Sequence, residues 1–303
     1  MKTILCVGSA SYDITLPVEN FIIENEKYTV NKRIECGGGP ASNAAYLLSK
    51  WGINTYFMGT VGNDTYGRKI VDEFKHVKTK LDYLKIDNNA STTVSYIVNN
   101  KMNGSRTIIT NSTNANPVKV EDLNITPDVI LLDGHELEAS LEVLRRYPNA
   151  ISILDAGRNN PANVELGKKV NYLVTSLNFA EQFTKYKIDI NNSNTIYKVY
   201  SKLEETFGNT IVITLEDKGC LYKEGDNIKI MPSFDLKAKD TTGAGDIFHG
   251  AFAFAIANKL SLENTVKLSN IAGALSILKV GSRSSVPPLK AVMRIYEKNQ
   301  NAK

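Results

Sequence analysis

Cysteine is scarce in this sequence. Three occur in 303 residues, Cys6, Cys36 and Cys220, far apart and with no CxxC spacing. So sparse and odd a set excludes a disulfide framework and suits core thiols in a reducing, cytoplasmic setting. Histidine is equally rare, and His76, His135 and His249 lack ligand spacing, which argues against a zinc site. No window holds the roughly 18 unbroken apolar residues of a membrane span. The opening MKTILCVGSAS has an apolar core at residues 4–7, shorter than the roughly 7–15 residues of a secretory segment, and is expected to be a buried first strand. Charge is nearly balanced, with a net +4. The densest basic cluster, KHVKTK at 75–80, suits a solvated helix end, so neither nucleic acid nor membrane is expected as a partner. Two nucleotide motifs are also missing: there is no GxxxxGK[ST], and no GxGxxG follows a strand.

What is present is a rhythm. Hydrophobic content of 42% and charged content of 22% are those of a soluble globular chain. Strand-like runs such as TILCV (3–7), NTYFMGTV (54–61), DVILLD, AISILDAG, NYLVTS and NTIVITLE alternate with helical stretches such as PASNAAYLLSKWG (40–52) and YGRKIVDEFKHV (66–77). That alternation predicts a mostly parallel central sheet with helices on both faces. No repeat or linker divides the chain, so 1–303 is expected to be a single domain. Two regions, about 13–35 and 92–110, break the rhythm. In the second, TTVSYIVNN and SRTIITN flank KMNG, the pattern of a hairpin turning at Asn103-Gly104. The two regions are expected to pair into a small β-sheet lid, which could also serve as a dimer surface.

Two glycine loops run into helices. In DTTGAGD (240–246), Gly243 and Gly245 permit unusual backbone angles and a close approach of ligand to main chain. If a helix begins at Asp246 or Ile247, the N–H groups of 243–246 form an anion site with the helix dipole. Taken alone, Asp246 is as well explained as a helix cap. The second loop is CGGGPASNAA (36–45). Two such loops suit a two-substrate site, one for phosphates and one for a polar small molecule.

Together, GGGPASNAA and DTTGAGD resemble the two signatures of the PfkB (ribokinase-like) carbohydrate kinase family. The resemblance covers nearly the whole chain. CVGSASYDITL (6–16), MGTVGNDTYG (58–67), NFAE (178–181), ITLEDKG (213–219) and SNIAGALSILKVGSRSSVP (269–287) are similar to further family segments, in the family's order. The resemblance implies a three-layer ribokinase-like α/β fold and an ATP-dependent sugar kinase. Asp246 would be the general base that takes the proton of a sugar hydroxyl. The amides of Gly243, Ala244 and Gly245 would hold charge on the transferred phosphoryl group.

The same resemblance implies that Asp13, Gly38, Gly39, Asn43 and Asp246 bind the sugar, and that Arg106 reaches it from the lid. It implies ATP contacts at Asn178, Thr214, Gly219, Gly243, Gly245 and Asn270. Asn178 and Glu181 would organise Mg²⁺ through its waters, since magnesium needs few protein ligands. Asp240, Thr242 and Ser285, with carbonyls near 277–281, would form a loop for a monovalent cation such as K⁺. His135 stands where some relatives carry an arginine for an anionic sugar, which favours a neutral ketose or pentose such as fructose or ribose. Two alternatives remain open. One is a nucleoside kinase with a slot built from Tyr12, Tyr96 or Phe21. The other is a catalytically silent ligand-binding relative, against which the intact Asp246 argues.

Overall fold

Burial alternates from the first strand onward. β1 (Thr3–Val7) sends Ile4 and Cys6 into one apolar core and Leu5 and Val7 into another. A strand covered on both faces requires this two-residue period. The computed structural model describes residues 2–300. After β1 come β2 (Ser11–Val18), β3 (Ile34–Gly38), α1 (Pro40–Lys50), β4 (Asn54–Gly62), α2 (Thr65–His76), β5 (Lys80–Asp87), β6 (Thr93–Asn100) and β7 (Arg106–Asn111). Next are β8 (Val129–Leu132), α3 (Leu137–Arg146), β9 (Ile151–Ala156), α4 (Pro161–Gly167), β10 (Tyr172–Ser176), α5 (Leu177–Thr184) and α6 (Ser193–Phe207). The order ends with β11 (Thr210–Thr214), β12 (Cys220–Glu224), β13 (Asn227–Met231), α7 (Ala244–Ala257), α8 (Leu262–Ser276) and α9 (Leu289–Gln300).

Nine strands make one sheet in the order β13-β12-β11-β10-β9-β8-β1-β4-β5. Neighbours from β11 to β5 are parallel, and the β11-β12-β13 edge is antiparallel. One face is covered by Leu47 of α1, Phe74 of α2, Phe252 of α7, Ile271 of α8 and Val292 of α9. The other is covered by Val143 of α3, Leu166 of α4, Phe179 of α5 and Val199 of α6. This is the three-layer, mostly parallel arrangement expected from the rhythm of the sequence. Among the described residues, no helix is long and apolar enough to cross a membrane.

A second sheet has the order β3-β2-β6-β7. β6 and β7 form the expected hairpin, turning through Asn103 and Gly104, whose φ of 72° suits glycine. β2 and β6 pair in parallel, with Asp13 opposite Ser95 and Ile14 opposite Tyr96. This register sorts the two faces of the small sheet. Asp13 and Ser95 share one face. Tyr12, Ile14, Val94 and Tyr96 share the other, where the Tyr12 ring stacks on Tyr66 of α2 at 5.0 Å.

One boundary differs from expectation. α7 begins at Ala244, not at Asp246 or Ile247. Gly243 takes φ 77° as its N-cap, and the Ile247 N–H already donates to the Gly243 carbonyl at 2.9 Å. The glycines that suggest a loop therefore make the turn and the first helical residues. Asp246 lies inside the first turn and makes no capping hydrogen bond, so capping does not account for it.

Candidate active site

Two helices begin at the same place. α1 starts at Pro40 behind Gly39, with φ 93° and no side-chain cap. A Cβ on Gly39 would run into the Ser9 carbonyl. α7 starts behind Gly243, whose missing Cβ leaves room for Ser282. Between the two helix starts, Asn43 Nδ2 donates to Asp246 Oδ2 at 2.6 Å. Among the described residues, the N–H groups of Gly243, Gly245 and Asp246 have no backbone acceptor; the Ala244 N–H turns back to the Thr241 carbonyl at 3.3 Å. The helix start therefore offers fewer free amides than expected, with Ala244 partly engaged. What remains still favours an anion.

Asp13 faces this point from the small sheet. It is buried, and accepts hydrogen bonds from Ser11 Oγ at 3.0 Å and Ser282 Oγ at 3.1 Å. Gly38 has no side chain because a Cβ would overlap the Asp13 carboxylate. Burial pushes the Asp13 carboxyl up to about 6, against the pull of the Ser11 and Ser282 bonds. Burial raises Asp246 too, while the bond from Asn43 and the charges of His249 and Arg106 oppose the rise. Arg106 stands at the cleft, donating to Thr241 Oγ1 at 2.7 Å. The structure thus brings together Asp13, Gly38, Gly39, Asn43, Arg106 and Asp246.

The residues expected to contact ATP lie on α5, at the end of β11, before β12 and on α8. Ser176 caps α5, and Asn178 and Glu181 follow within its first turns. Thr214 ends β11 in register with Ser176, and its hydroxyl donates to the Thr175 carbonyl. Gly219 holds φ 98° where a Cβ would strike the Met231 carbonyl. Asn270 of α8 donates to the Pro232 carbonyl at 2.7 Å. Glu181 is turned toward Lys187 Nζ at 2.5 Å and the Ile188 N–H at 2.9 Å. Although burial works against it, that pairing holds its carboxyl below the usual range.

Asp240 staples its own turn, at Thr242, to Gly281, and Ser285 bonds within the 281–285 turn. Asp240 Oδ1 accepts from the Thr242 N–H and hydroxyl, and Oδ2 accepts from the Gly281 N–H at 2.9 Å. Ser285 Oγ donates to the Ser282 carbonyl. The Ile277 carbonyl, expected near a cation, already accepts from the Lys239 and Asp240 N–H groups.

Further side chains surround these residues. Asp133, after β8, accepts from the Ser9, Ala41 and His135 N–H groups. Burial pushes it up, but His135 and these bonds hold it below its ordinary value. His135 is in turn raised to about 9 by Asp133. Asp155, at the end of β9, is raised to about 7 by burial, against the attraction of His249 at 3.2 Å. His249 also reaches the Gly245 carbonyl at 2.6 Å. Ser282, Arg283 and Glu73 tie the 282–283 turn and α2 to the 36–43 segment. Sequence marks DGHE (133–136) and DAGR (155–158) as strand ends that could face the site, and of their aspartates Asp133 follows β8 and Asp155 lies at the end of β9. No local spacing links Arg283 to Gly37.

A pfkB family carbohydrate kinase model matches residues 1–289, so the chain belongs to that family. It is a carbohydrate kinase, a phosphotransferase with an alcohol group as acceptor. Mouse ribokinase is 30% identical over 266 residues, covering 82% of this chain and 81% of the mouse protein. The crystal structure of ribokinase from Thermotoga maritima superposes with a TM-score of 0.83 at 28% identity, covering 98% of this chain and 100% of that one. Arabidopsis thaliana ribokinase, complexed with ribose and ATP, has a TM-score of 0.82 at 23% identity over 98% of each chain. The fold is ribokinase-like.

Asp13 yields a stability test. Its carboxyl titrates near 6 in the fold, against about 3.9 in an unfolded chain. Ionisation therefore opposes folding: the stability is full below pH about 4 and is lost as pH rises through 6. Asp13→Asn removes the charge, so its Tm should match wild type near pH 4 and exceed it at pH 8. A Tm difference that stays constant across this range would remove the claim that burial strains the carboxylate.

Proposed function

We propose that the chain transfers the γ-phosphate of ATP to a hydroxyl of a small neutral sugar, a pentose such as ribose ahead of a ketose such as fructose. The observation that carries this is Asp246, half-buried in the first turn of α7, with one carboxylate oxygen held by Asn43 and the buried Asp13 facing it from the small sheet. The free oxygen of Asp246 takes the proton of the sugar hydroxyl. The sugar oxygen bonds to the γ-phosphorus as the bond to the ADP oxygen breaks. The amides of Gly243 and Gly245, at the positive end of α7, face the charge on the transferred group. Asp13 and Asn43 orient neighbouring hydroxyls, since a carboxylate accepts and an amide does both.

ATP would lie along Thr214, Gly219 and Asn270, and the ribose–ATP complex of the Arabidopsis relative supports this donor. Asn178 and Glu181 stand three residues apart on α5, but their fit to magnesium is partial: Asn178 Oδ1 accepts from Gln182, and the Glu181 oxygens accept from Lys187 and the Ile188 N–H, so a magnesium ion would reach them through its waters. Bound there, Mg²⁺ would neutralise the phosphates. The fit to potassium is partial. Both oxygens of Asp240 and the Ile277 carbonyl already accept N–H groups, so K⁺ would rest on other carbonyls of the 240–242 and 281–285 loops.

A nucleoside slot gains no support from Tyr12 and Tyr96, which lie on the face of the small sheet opposite Asp13. Phe21 is 65% exposed, outside the cleft. The reading includes a cytoplasmic location, which the three buried free cysteines suit. It also includes a homodimer through the small sheet, where Phe21, Ile23, Met102 and Ile109 are exposed together with β7.

Asp246→Asn should lower kcat by at least about 10²–10⁴-fold while ribose binding stays measurable by calorimetry; wild-type turnover would sink the base. Asp13→Ala should raise KM for the sugar far more than KM for ATP. ADP release measured across sugars, phosphosugars and nucleosides should favour a neutral sugar, and a preferred nucleoside would replace that reading. Exchanging KCl for NaCl at equal ionic strength should lower the rate if K⁺ is held, and equal rates would remove it. Light scattering should give twice the chain mass, and a monomeric mass would remove the dimer.

A further inference from the structure

Arg283 is a misplaced charge by ordinary rules. Its guanidinium is buried, at 2% side-chain exposure, against the first turn of α1. A helix N-terminus repels cations, and a buried charge must recover its lost hydration. Glu73 offsets the charge, at 2.9 Å from Nη1, and the Phe74 and Tyr46 rings stack at 4.4 and 5.1 Å from the guanidinium carbon. Those contacts explain how Arg283 survives there. They do not explain why its remaining donors point at α1. Nη2 donates to Ser42 Oγ, and Nε donates to Asn43 Oδ1 at 3.4 Å.

The Asn43 amide is therefore held between opposite charges. Its oxygen faces the Arg283 guanidinium, and its nitrogen donates to the Asp246 carboxylate at 2.6 Å. A flipped amide would aim NH₂ at a cation and its oxygen at an anion, and both contacts repel. We propose that Arg283 is a positioning residue that fixes the orientation of the Asn43 amide, so that Asn43 holds one oxygen of Asp246 and leaves the other for the sugar hydroxyl. The inference rests on Asp246 acting as the base. Among the described residues, no other charged group hydrogen-bonds the Asn43 side-chain oxygen. Gly37 completes the device: it lacks a side chain because a Cβ would overlap the guanidinium, and its N–H donates to both Glu73 oxygens. The neighbouring Ser282 bonds to Asp13 and to the Gly37 carbonyl. One short loop thereby sets both polar walls of the sugar site.

The test is a double-mutant cycle of Arg283→Gln and Asn43→Ala, read by steady-state kinetics with ATP and D-ribose and by NMR of ¹⁵N-labelled protein. Arg283→Gln should lower kcat by about 10²-fold, the order expected for a misplaced reacting group, with little change in KM for ATP. In the Asn43→Ala background the same substitution should have no further effect on kcat, because the two residues act in series. The Asn43 side-chain amide signal, identified by its loss in Asn43→Ala, should shift in both Arg283→Gln and Asp246→Asn. Additive kinetic effects, or an Asn43 signal unmoved by Arg283→Gln, would overturn the proposal. If Arg283→Gln does not fold, Arg283→Lys serves in the same cycle, since it keeps the charge but loses the fork that reaches Ser42, Asn43 and Glu73 together. An active Asp246→Asn would overturn the base assignment and leave the NMR result standing, so the two failures are distinguishable.

Discussion

The bond from Asn43 to Asp246 joins residues 203 positions apart, and the layout of the site depends on it. It can form only if the N-termini of α1 and α7 converge, and their packing is built for close approach. Gly250 of α7 lies against the backbone of Ala44, where a Cβ would sit 3.1 Å from the Ala44 Cα. Ala41, Ala44, Ala45, Ala251 and Ala255 are all fully buried. Small residues let two helix starts, each positive by its dipole, aim at the same space. One carboxylate set there relieves that repulsion, and an incoming phosphoryl group would share it. The same constraint explains the glycines at 39 and 243. Each turns the chain sharply into its helix, and neither helix spends a side chain on capping.

Three buried aspartates, Asp13, Asp133 and Asp155, and the half-buried Asp246 border this space. They are not equivalent. Asp133 is saturated by N–H donors from three separate segments, which makes it a fastener between β1, α1 and the turn after β8. Asp13 and Asp155 have fewer partners and are pushed toward neutrality by burial. A carboxylate kept short of donors lowers stability but binds hydroxyl groups well when they arrive. On this proposal the strain at Asp13 and Asp246 is relieved by substrate.

Much of this was legible in sequence because it is local. Glycine followed by a helical pattern marked both helix starts, and Asn103-Gly104 marked the hairpin. The onset of α7 was misplaced by two residues because Gly243 to Gly245 signal a loop unless the neighbouring N–H bonds are known. What was hidden is long-range. The parallel pairing of β2 with β6 crosses about 80 residues of chain, and it decides that Asp13 shares a face with Ser95 and Tyr12 with Val94. Glu181 is expected beside Mg²⁺ from the resemblance, yet Lys187, six residues on, donates to its carboxylate. Arg283 has no periodic partner at all. Its contacts at 42, 43 and 73 exist only once three separate segments have folded together.

The small sheet is joined to the turn before α7 through Thr241 and Lys239. The Thr241 N–H and hydroxyl both donate to the Gly104 carbonyl at the hairpin tip, and the same hydroxyl accepts from Arg106. Asn99, one strand in, donates to the Lys239 carbonyl. Residues 239–241 lead directly into Gly243 and α7, so a displacement of the hairpin acts on the backbone that carries the free amides. The sheet that bears Asp13 is therefore linked to the helix that bears Asp246 through main-chain bonds on one side and through Ser282 on the other. A sugar gripped by Asp13 would pull on both links together. The turn that faces the phosphoryl group would then be firmest when the hydroxyl is in place, which is when water should be kept out.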